Sequence, residues 1–506
     1  MILSKEHLTK ITAAGIGKPL VDCFALPEKV LQFGTGVLLR GLPDYFIDKA
    51  NHQGVFNGRI VVVKSTGNGG TDAFTTQDNL YTHYIRGIED GMRKEEAKIN
   101  CSISRVIAAN ESWTDILACA ANEAMQVIIS NTTEVGLTLL PGDNLETAPP
   151  KSFPGKLTAF LYERYKIFNG SPDSGMVIIP TELIPDNGTI LRDICVALAT
   201  ENKLEEAFVT WLTTANDFCN SLVDCIVPGS LPETEAKQVS TENGYQDDLH
   251  ITSETYRLWA IETTRARTKE ILSFSTIDDG IVVTGNINKF RELKLRLLNG
   301  AHTFTCGLAV LSDFSTVKEA MSNPFFEKFI NELMKEEITA AVTSKEITTE
   351  DAVTFADRVL DRFRNPFIEH LWLSITMQYT SKMAMRCVPA ILEYYRRFKD
   401  VPRHMAAGFG AYILFMRSEQ NEHGQFTGKN CGKKYIIQDD KAPLLHVKWQ
   451  AVNPEVVVHD ILADKGLWNA DLSQLPGFEK AVLATVRKFL GQSADTIAKE
   501  TAILAA

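Results

Sequence analysis

Three polar residues, Lys294, Asn299 and His302, lie close together in a segment with a helical pattern. At about 100° per residue they fall near 0°, 140° and 80°, on one broad face of the helix. A lysine whose pKa is lowered by burial or nearby positive charge can accept a hydroxyl proton. An amide can stabilise the developing alkoxide, and a histidine can orient the substrate oxygen. The set suits oxidation of a secondary alcohol by hydride transfer. The simpler alternative is a solvated lysine beside a capping asparagine and a packed histidine.

A second candidate lies near the N-terminus, where an apolar strand runs into Gly34 and Gly36 and then into a helix that carries Arg40. Gly34 can take a tight turn, and Gly36 lets the backbone approach a pyrophosphate at the helix N-terminus. Leu39 replaces the third glycine of the usual fingerprint, so a strand-to-helix turn without a ligand is the alternative. The position directly after an early strand favours a dinucleotide.

The nature of that dinucleotide depends on the end of the second strand, Arg59–Lys64. The carboxylate that commonly binds the adenosine ribose of NAD is missing there. Lys64, together with Ser65 and Thr66, could instead accept a 2′-phosphate. NAD is expected, and NADP stays open.

Short β-branched runs separated by helical stretches make up the first half of the chain. The predicted strands are Lys29–Phe33, Arg59–Lys64, Ser104–Ala108, Gln126–Ser130, Met176–Pro180 and Gly280–Gly285. Buried parallel strands have this composition. We therefore expect an α/β fold with a Rossmann-like, doubly wound domain over residues 1–285.

Residues 286–506 show helical patterns and are expected to form a mostly α-helical substrate domain. The predicted helices are Ser315–Met321, Phe325–Lys335, Thr349–Arg362, Val388–Phe398, Arg403–Met416 and Gly477–Lys488. The glycine-rich stretches 67–70 and 424–432 are expected to be surface loops.

Composition excludes several classes of function. The net charge of −11 opposes non-specific nucleic-acid binding. No apolar stretch approaches the roughly 20 residues that cross a bilayer, and the N-terminus has no secretory pattern. Nine scattered cysteines without a CxxC pair argue against a disulfide framework or a zinc site, and a cytoplasmic, metal-free protein is expected. Oligomeric state stays open.

Three motifs together carry a family resemblance: the Gly-x-Gly turn followed by Arg40, the Lys-x4-Asn-x2-His pattern, and the segment Arg362–Ile368. Over nearly the whole chain they resemble the polyol-specific long-chain dehydrogenases, the mannitol dehydrogenase family. The resemblance implies a metal-independent NAD(H) oxidoreductase. Its general base would be Lys294, with Asn299 as oxyanion contact and His302 on a substrate hydroxyl.

The same resemblance implies where the ligands bind. The cofactor residues would be Gly34, Gly36, Arg40, Asn131, Thr132 and Thr133. The segments Gln77–Thr82, Ser130–Glu134, Pro180–Ile184 and Leu298–Thr303 resemble family members that act on hexuronates. NADH-dependent reduction of tagaturonate to altronate is therefore expected. Reduction of fructuronate, or oxidation of a neutral polyol such as mannitol, is the alternative. A nucleotide sensor without turnover would not need Lys294, Asn299 and His302. An interaction scaffold would show sequence repeats, and this sequence has none.

Two departures from the family pattern affect the site. Leu183 replaces a second oxyanion asparagine, whose contact Asn131 could supply instead. Cys225 replaces the arginine that usually follows Asp224, which the resemblance makes a substrate-binding residue.

A hexuronate also needs a cation for its carboxylate. Lys382 and Arg386, at helical i,i+4 spacing, are the candidates, although both could simply be solvated on a helix face. Arg40 and Arg364 are alternatives that could instead bind backbone carbonyls.

Overall fold

Runs of valine and isoleucine in the first half of the chain fold into parallel strands. In the computed structural model, which describes residues 1–65, 70–132, 136–430, 432–451 and 453–501, the strands are β1 (Ile16–Gly17), β2 (Glu28–Phe33), β3 (Arg59–Lys64), β4 (Tyr81–Glu89), β5 (Met92–Asn100), β6 (Ile103–Ala108), β7 (Val127–Ser130), β8 (Val177–Pro180), β9 (Asp217–Phe218), β10 (Ser221–Asp224), β11 (Ile251–Ser253), β12 (Leu258–Glu262), β13 (Ile281–Thr284), β14 (Glu419–Gln420), β15 (Phe426–Asn430) and β16 (Lys433–Ile436).

Six of the described strands form one parallel sheet in the order β6-β3-β2-β7-β8-β9. Counted from β2, this is the 3-2-1-4-5-6 order of dinucleotide-binding folds. In such folds the ligand lies outside the carboxyl ends of the two strands where the order reverses, here β2 and β7. The predicted Rossmann-like α/β fold is thus confirmed.

Alternating side chains of this sheet enter two hydrophobic cores, one on each face. Val30 and Val62 belong to one core, and their neighbours Leu31 and Val63 belong to the other. Because successive side chains of a strand point to opposite faces, strands covered on both sides are apolar throughout. The sequence could therefore predict five of the six strands within two residues.

The sixth predicted strand was assigned to the wrong sheet. Gly280–Gly285 contains β13, but β13 pairs with β12 in a separate sheet of order β10-β12-β13. The outer position of the Rossmann sheet is taken by β9, a two-residue strand too short to leave a pattern.

The chain divides into two units, Met1–Gly87 with Arg93–Ile287, and Ile88–Met92 with Asn288–Ala506. The α-helices of the first unit are α1 (Val37–Gly41), α2 (Pro43–His52), α3 (Asp72–Thr76), α4 (Trp113–Ala118), α5 (Phe153–Ile167), α6 (Asn187–Glu201), α7 (Glu206–Thr214), α8 (Glu233–Asn243) and α9 (Ala266–Ile271).

The second unit is mostly helical, as predicted. Its α-helices are α10 (Asn288–Leu293), α11 (Ala301–Leu311), α12 (Val317–Met321), α13 (Pro324–Glu332), α14 (Thr339–Val342), α15 (Thr349–Phe363), α16 (Trp372–Ile375), α17 (Tyr379–Lys382), α18 (Val388–Arg397), α19 (Arg403–Phe415), α20 (Ala442–Lys448), α21 (Pro454–Leu462), α22 (Lys465–Trp468), α23 (Phe478–Phe489) and α24 (Ala494–Thr501). Single π-helical segments, named π1 (Lys294–Gly300), π2 (Leu333–Ile338) and π3 (Met383–Cys387), interrupt this series.

Two expectations need correction. The stretch 424–432 is not simply a loop, because β15 lies within it and pairs with β14 and β16; most of the stretch 67–70 lies outside the described residues. Cys23 and Cys101 form a disulfide in the first unit, although the scattered cysteines argued against a disulfide framework. No helix among the described residues is long and apolar enough to cross a membrane.

Candidate active site

The turn after β2 is built around Gly34. Its backbone has a φ of +130°, a value that residues with a side chain rarely adopt. Its N–H donates to the Val63 carbonyl at 3.0 Å. A Cβ on Gly34 would lie 3.0 Å from Leu39 Cδ1 and 3.2 Å from the Asn131 carbonyl oxygen. Only glycine fits here without strain. The turn therefore needs Gly34 for the close approach of β2, β3 and β7.

Gly36 has a different reason to be glycine. It precedes α1 with an ordinary φ of −62°, and a Cβ added to it would meet no atom of the described residues within 4 Å apart from its chain neighbours. Folding therefore does not require glycine at this position, whereas close approach of a pyrophosphate does. Leu39, which replaces the third glycine, is fully buried in the core beside the sheet. The missing third glycine thus does not obstruct the turn.

Arg40 is used inside the fold. Its side chain is buried, donates to the Leu249 carbonyl, and stacks over the rings of Phe74 and Tyr81 at 5.8 and 5.3 Å. Burial lowers the pKa of Arg40, and Tyr81, Asp44 and Asp247 oppose that effect. The sequence left open a structural role for Arg40. This environment favours that role rather than a contact with a phosphate.

The loop after β7 is held by a buried carboxylate. Glu182 accepts hydrogen bonds from the Thr132 N–H at 2.8 Å, the Thr132 hydroxyl at 3.1 Å and the Ser130 hydroxyl at 3.2 Å. Asn131 Nδ2 donates to the carbonyl and hydroxyl oxygens of Thr181 at 3.2 and 3.0 Å. The Asn131 amide nitrogen is thus engaged with Thr181, which does not favour it as the replacement oxyanion contact. Thr133 lies outside the described residues.

The remaining predictions for the first unit have mixed outcomes. Asp224 is buried at the end of β10. Leu183, which cannot replace the oxyanion asparagine, has a side chain that is 62% exposed. Lys64 ends β3 and Ser65 follows it, but Thr66 lies outside the described residues.

In the second unit, Lys294 and Asn299 are the first and sixth residues of π1. The α-helical wheel assumed above is therefore wrong for this segment. Hydrogen bonds of a π-helix join residues five apart, so side chains at that spacing lie nearly one above the other. Lys294 and Asn299 consequently share one side of the helix more closely than the sequence predicted. π-Helical turns often occur at functional sites.

His302 follows π1 in the first turn of α11 and is buried among aromatic rings. It stacks on Phe363 with ring centroids 4.1 Å apart, and His370 and Trp372 meet it edge-on at 5.1 and 5.8 Å. Within the described part of the protein, His302 Nε2 has no hydrogen-bond partner. Since buried polar atoms are normally hydrogen-bonded, this ring nitrogen is a candidate contact for a substrate oxygen.

The charges around His302 are mainly positive. Burial holds the pKa of His302 well below its usual range, and His370, Arg362, Arg386 and Lys382 lower it further. The ring is therefore neutral near pH 7 and can orient a hydroxyl group without adding charge. The same cations suit an anionic substrate group.

Lys382 and Arg386, the predicted carboxylate ligands, do lie near His302. Lys382 Nζ donates to the Ile375 carbonyl at 2.8 Å, and burial and then Arg386 lower its pKa. Arg386 Nη1 donates to the Thr303 hydroxyl at 3.3 Å, while its buried Nε has no partner among the described residues. Each cation thus retains N–H groups for a ligand.

A second arginine holds the two π-helices together. Arg296, in π1, donates from Nη1 to the carbonyls of Met385 and Arg386 in π3 at 2.7 and 3.1 Å. Its Nε also donates to Glu292 at 3.1 Å. The backbone that carries Arg386 is therefore fixed to the helix that carries Lys294. Sequence reasoning missed Arg296, because its partners are carbonyls 89 and 90 residues away.

Arg364, an alternative carboxylate ligand, is already paired. It bonds to Glu327 at 2.6 Å and approaches Asp361 at 3.4 Å.

His370 was also missed by sequence reasoning. It is half-buried against His302, and the only available signal was its position just after the Arg362–Ile368 motif. The described residues contain no group of three or more His, Cys, Asp or Glu side chains that could hold a metal ion.

Comparison with known proteins places both units in one family. The family described as the Mannitol dehydrogenase Rossmann domain matches residues 28–272, and the Mannitol dehydrogenase C-terminal domain matches residues 286–490. An altronate oxidoreductase of Bacillus subtilis (strain 168) is 37% identical over 454 residues, which cover 89% of this chain and 90% of the relative. One from Halalkalibacterium halodurans is 37% identical over 457 residues, covering 88% of each chain.

Solved structures share the fold at lower identity. The ternary complex of Pseudomonas fluorescens mannitol 2-dehydrogenase with NAD and D-mannitol is 21% identical, with a TM-score of 0.67 and 99% of each chain covered. A D-sorbitol dehydrogenase in substrate-free form is 18% identical, with a TM-score of 0.77 and coverage of 98% of this chain and 100% of that one. The chain belongs to the mannitol dehydrogenase family and is an oxidoreductase that acts on CH–OH groups.

Proposed function

We propose that this protein catalyses the reversible, NADH-dependent reduction of tagaturonate to altronate. The observation that carries the proposal is the placement of Lys382 and Arg386 beside the buried, neutral His302. A neutral polyol does not need two cations next to the histidine, whereas the carboxylate of a hexuronate does. The curated relatives named altronate oxidoreductase, at 37% identity, support the same substrate.

We assign cofactor binding to residues 1–285 and substrate binding with catalysis to residues 286–506. The Gly34 turn at the reversal of strand order and the open space beside Gly36 fit a dinucleotide pyrophosphate. The bound nicotinamide supplies the hydride in one direction and accepts it in the other. NAD is proposed rather than NADP because the mannitol 2-dehydrogenase of similar fold forms its complex with NAD. Lys64, at the end of β3, is the cation that would instead favour the 2′-phosphate of NADP.

The second unit supplies the proton chemistry. In the reducing direction, the Lys294 ammonium gives a proton to the carbonyl oxygen as hydride reaches the carbon; in the oxidising direction, the neutral amine takes it back. The Asn299 amide donates a hydrogen bond to the oxygen that carries developing negative charge. His302 Nε2 contacts a neighbouring substrate hydroxyl. The π-helical spacing of Lys294 and Asn299 supports a shared action on one oxygen.

The carboxylate would be held by Arg386 and Lys382. A guanidinium can bind a carboxylate through two parallel N–H bonds, whereas the ammonium of Lys382 contributes a single point charge. Because the protein carries a net charge of −11, attraction of an anion depends on local cations rather than on the overall field. Arg386 is therefore assigned the larger share of uronate recognition.

The direct test follows the absorbance of NADH and NADPH while the purified protein is mixed with tagaturonate, fructuronate or fructose. We expect NADH oxidation with tagaturonate to have the highest kcat/KM. Preference for fructuronate would retain the hexuronate site but change the stereochemical assignment. Preference for fructose over both uronates would contradict the proposal and favour a mannitol-type dehydrogenase. A higher kcat/KM with NADPH would contradict the cofactor assignment alone.

A further inference from the structure

Thr303 links the proposed carboxylate ligand to the proposed oxyanion contact. Its side chain is fully buried in α11, directly after His302. The hydroxyl accepts a hydrogen bond from Arg386 Nη1 at 3.3 Å and donates one to the Asn299 carbonyl at 2.6 Å. One side chain thus joins π3, which carries Arg386, to π1, which carries Asn299.

We propose that Thr303 is a positioning residue that determines specificity for a carboxylate substrate. It acts through Arg386, whose guanidinium it orients so that the unpartnered, buried Nε and the remaining N–H groups face the ligand. The inference rests on the proposed function, because it concerns the same uronate site. It adds a residue that neither the motif nor the comparisons assign.

The contact between Arg386 and Thr303 distinguishes this hydroxyl from an ordinary helical threonine. Threonine side chains in helices commonly donate to the carbonyl four residues earlier. Thr305 does so in the same helix, bonding to the Ala301 carbonyl at 2.7 Å, and is equally buried. No guanidinium bond to Thr305 is present among the described residues. Thr305 is therefore the matched control for Thr303.

Loss of the hydroxyl should affect substrate affinity more than turnover. A long arginine side chain loses its orientation when one of its hydrogen bonds is removed, and reordering it on binding weakens the complex. Lys294 and its proton are untouched by that change. The expected signature is a raised KM for the uronate with little change in kcat, whereas general destabilisation of α11 would reduce active enzyme and lower kcat for every substrate.

The experiment compares Thr303→Val, Thr303→Ser, Thr305→Val and Arg386→Ala in the full-length protein. For Thr303→Val we expect a KM for tagaturonate raised about fivefold or more, with kcat within about threefold of wild type and NADH binding unchanged. Thr303→Ser should restore the KM, since it keeps the hydroxyl, and Thr305→Val should behave like wild type. Adding Thr303→Val to Arg386→Ala should raise the KM little further, because both changes act through one guanidinium.

Several outcomes would overturn the inference. These are a wild-type KM in Thr303→Val, failure of Thr303→Ser to restore it, an equal effect of Thr305→Val, or fully additive effects in the double variant. If Arg386→Ala raises the KM while Thr303→Val does not, the role of Thr303 is wrong and the proposed function survives. If Arg386→Ala leaves the KM unchanged, Arg386 is not the carboxylate ligand and the inference fails, although a wild type that reduces tagaturonate still has the proposed function. If wild type reduces no uronate, the proposed function itself fails. Thermal unfolding of each variant shows whether α11 is intact, and Thr303→Ser remains informative if Thr303→Val does not fold.

Discussion

The relative orientation of the Lys294 and Asn299 side chains depends on the type of helix that carries them. Five positions apart, they would diverge by about 140° on an α-helix, but π1 brings them to one side. His302 then lies in the first turn of α11, with its ring fixed by Phe363. The side chains proposed as proton donor, oxyanion contact and hydroxyl contact thus lie on one continuous segment of backbone.

Replacing Lys294 with alanine should remove the proton transfer and leave the cofactor site intact. We expect kcat to fall about a hundredfold or more, the usual contribution of a positioned acid or base, with NADH binding unchanged. Lys289→Ala is the control, since that lysine lies one helix earlier and pairs with Asp351 at 2.6 Å. Retention of more than about a tenth of wild-type kcat, a loss under roughly 1.4 kcal/mol of barrier, would refute the assignment of Lys294.

Replacing Arg386 with alanine should specifically weaken binding of a carboxylate substrate. A hydrogen bond to a charged group is worth roughly 1.5–3 kcal/mol, so the KM for tagaturonate should rise at least about tenfold. Lys382→Ala should have a weaker effect of the same kind, because an ammonium makes no planar fork. Steady-state kinetics with tagaturonate and with a neutral ketose measure both effects, and Arg396→Ala, on an exposed face, is the control. Equal increases in KM for both substrates would point to a general disturbance of the site.

The residue types of the proposed site could be predicted from sequence, but their contacts could not. The Lys-x4-Asn-x2-His spacing lies within one short segment, so it is visible as a pattern in the sequence. The bond between Arg386 and Thr303 joins residues 83 positions apart and leaves no spacing signal. Arg40 shows the converse, because its position after the Gly-x-Gly turn indicated a phosphate ligand, whereas its guanidinium is buried against Leu249.

Among the elements, the β2–α1 turn contains one glycine that folding requires, Gly34, and one that is proposed to serve cofactor binding, Gly36. Gly36→Ala should leave thermal unfolding without nucleotide unchanged, because among the described residues the added Cβ meets no atom within 4 Å beyond its chain neighbours. It should weaken NADH binding about tenfold or more if the pyrophosphate approaches that backbone. Fluorescence titration with NADH and thermal unfolding are the two measurements.

Gly34→Ala is the informative companion of that variant. At a φ of +130°, we expect a loss of roughly 1–3 kcal/mol of stability together with weaker NADH binding. If Gly36→Ala binds NADH like wild type, the turn is not the pyrophosphate site.

The start of α19 contains a pH-dependent buried pair. Glu337 accepts hydrogen bonds from the backbone N–H groups of His404 and Met405, each at 2.8 Å, and contacts His404 Nδ1 at 2.9 Å. Burial lowers the pKa of His404, but its bonds to Glu337 and Glu332 outweigh that effect and raise the pKa above 6.5. The folded protein therefore binds this proton more tightly than the unfolded chain does. The resulting stabilisation is complete below about pH 6.5 and is lost as the pH rises through the folded-state pKa.

His404→Gln should consequently be most destabilising at low pH. We expect a loss of up to roughly 3 kcal/mol near pH 5.5 and a smaller loss near pH 9, measured by denaturant unfolding at both pH values. His459→Gln is the control, because His459 is exposed beside Glu479 and surface pairs contribute little. A difference between wild type and His404→Gln that does not change with pH would show that the imidazole acts only by packing.

Elements with a strong local pattern were predictable, and those set by tertiary context were not. The buried strands β2, β3 and β7 are apolar runs, and the sequence showed them plainly. The hairpin of β4 and β5 was missed because β5 is mostly charged, although Asp90 and Gly91, both at positive φ, form the kind of turn that joins such strands. The π-helices left no separate periodicity in the sequence, which predicted an α-helix for the residues of π1.

For the molecule as a whole, the division of labour between two units follows from their composition. In the proposed function, parallel strands with a glycine turn hold the dinucleotide, while helices that carry Lys294, His302 and Arg386 hold the charged sugar acid. A net charge of −11 would otherwise repel such a substrate. The cations near His302 offset that field locally. The overall charge could be read from the sequence. The positive charge near His302 could not, because it depends on how the fold brings the cations together.

The proposed catalytic cycle needs no metal ion. In the proposed chemistry, Asn299 polarises the carbonyl oxygen and Lys294 protonates it, so both tasks that a divalent cation would perform as a Lewis acid are assigned to side chains. We therefore expect prolonged dialysis against a strong chelator to leave kcat and KM for tagaturonate within experimental error of the untreated protein. The treated protein is assayed again after addition of zinc, manganese or magnesium, and metal analysis verifies that chelation was complete. Loss of activity that one of these ions specifically restores would mean that a metal, and not Lys294 with Asn299, activates the carbonyl group.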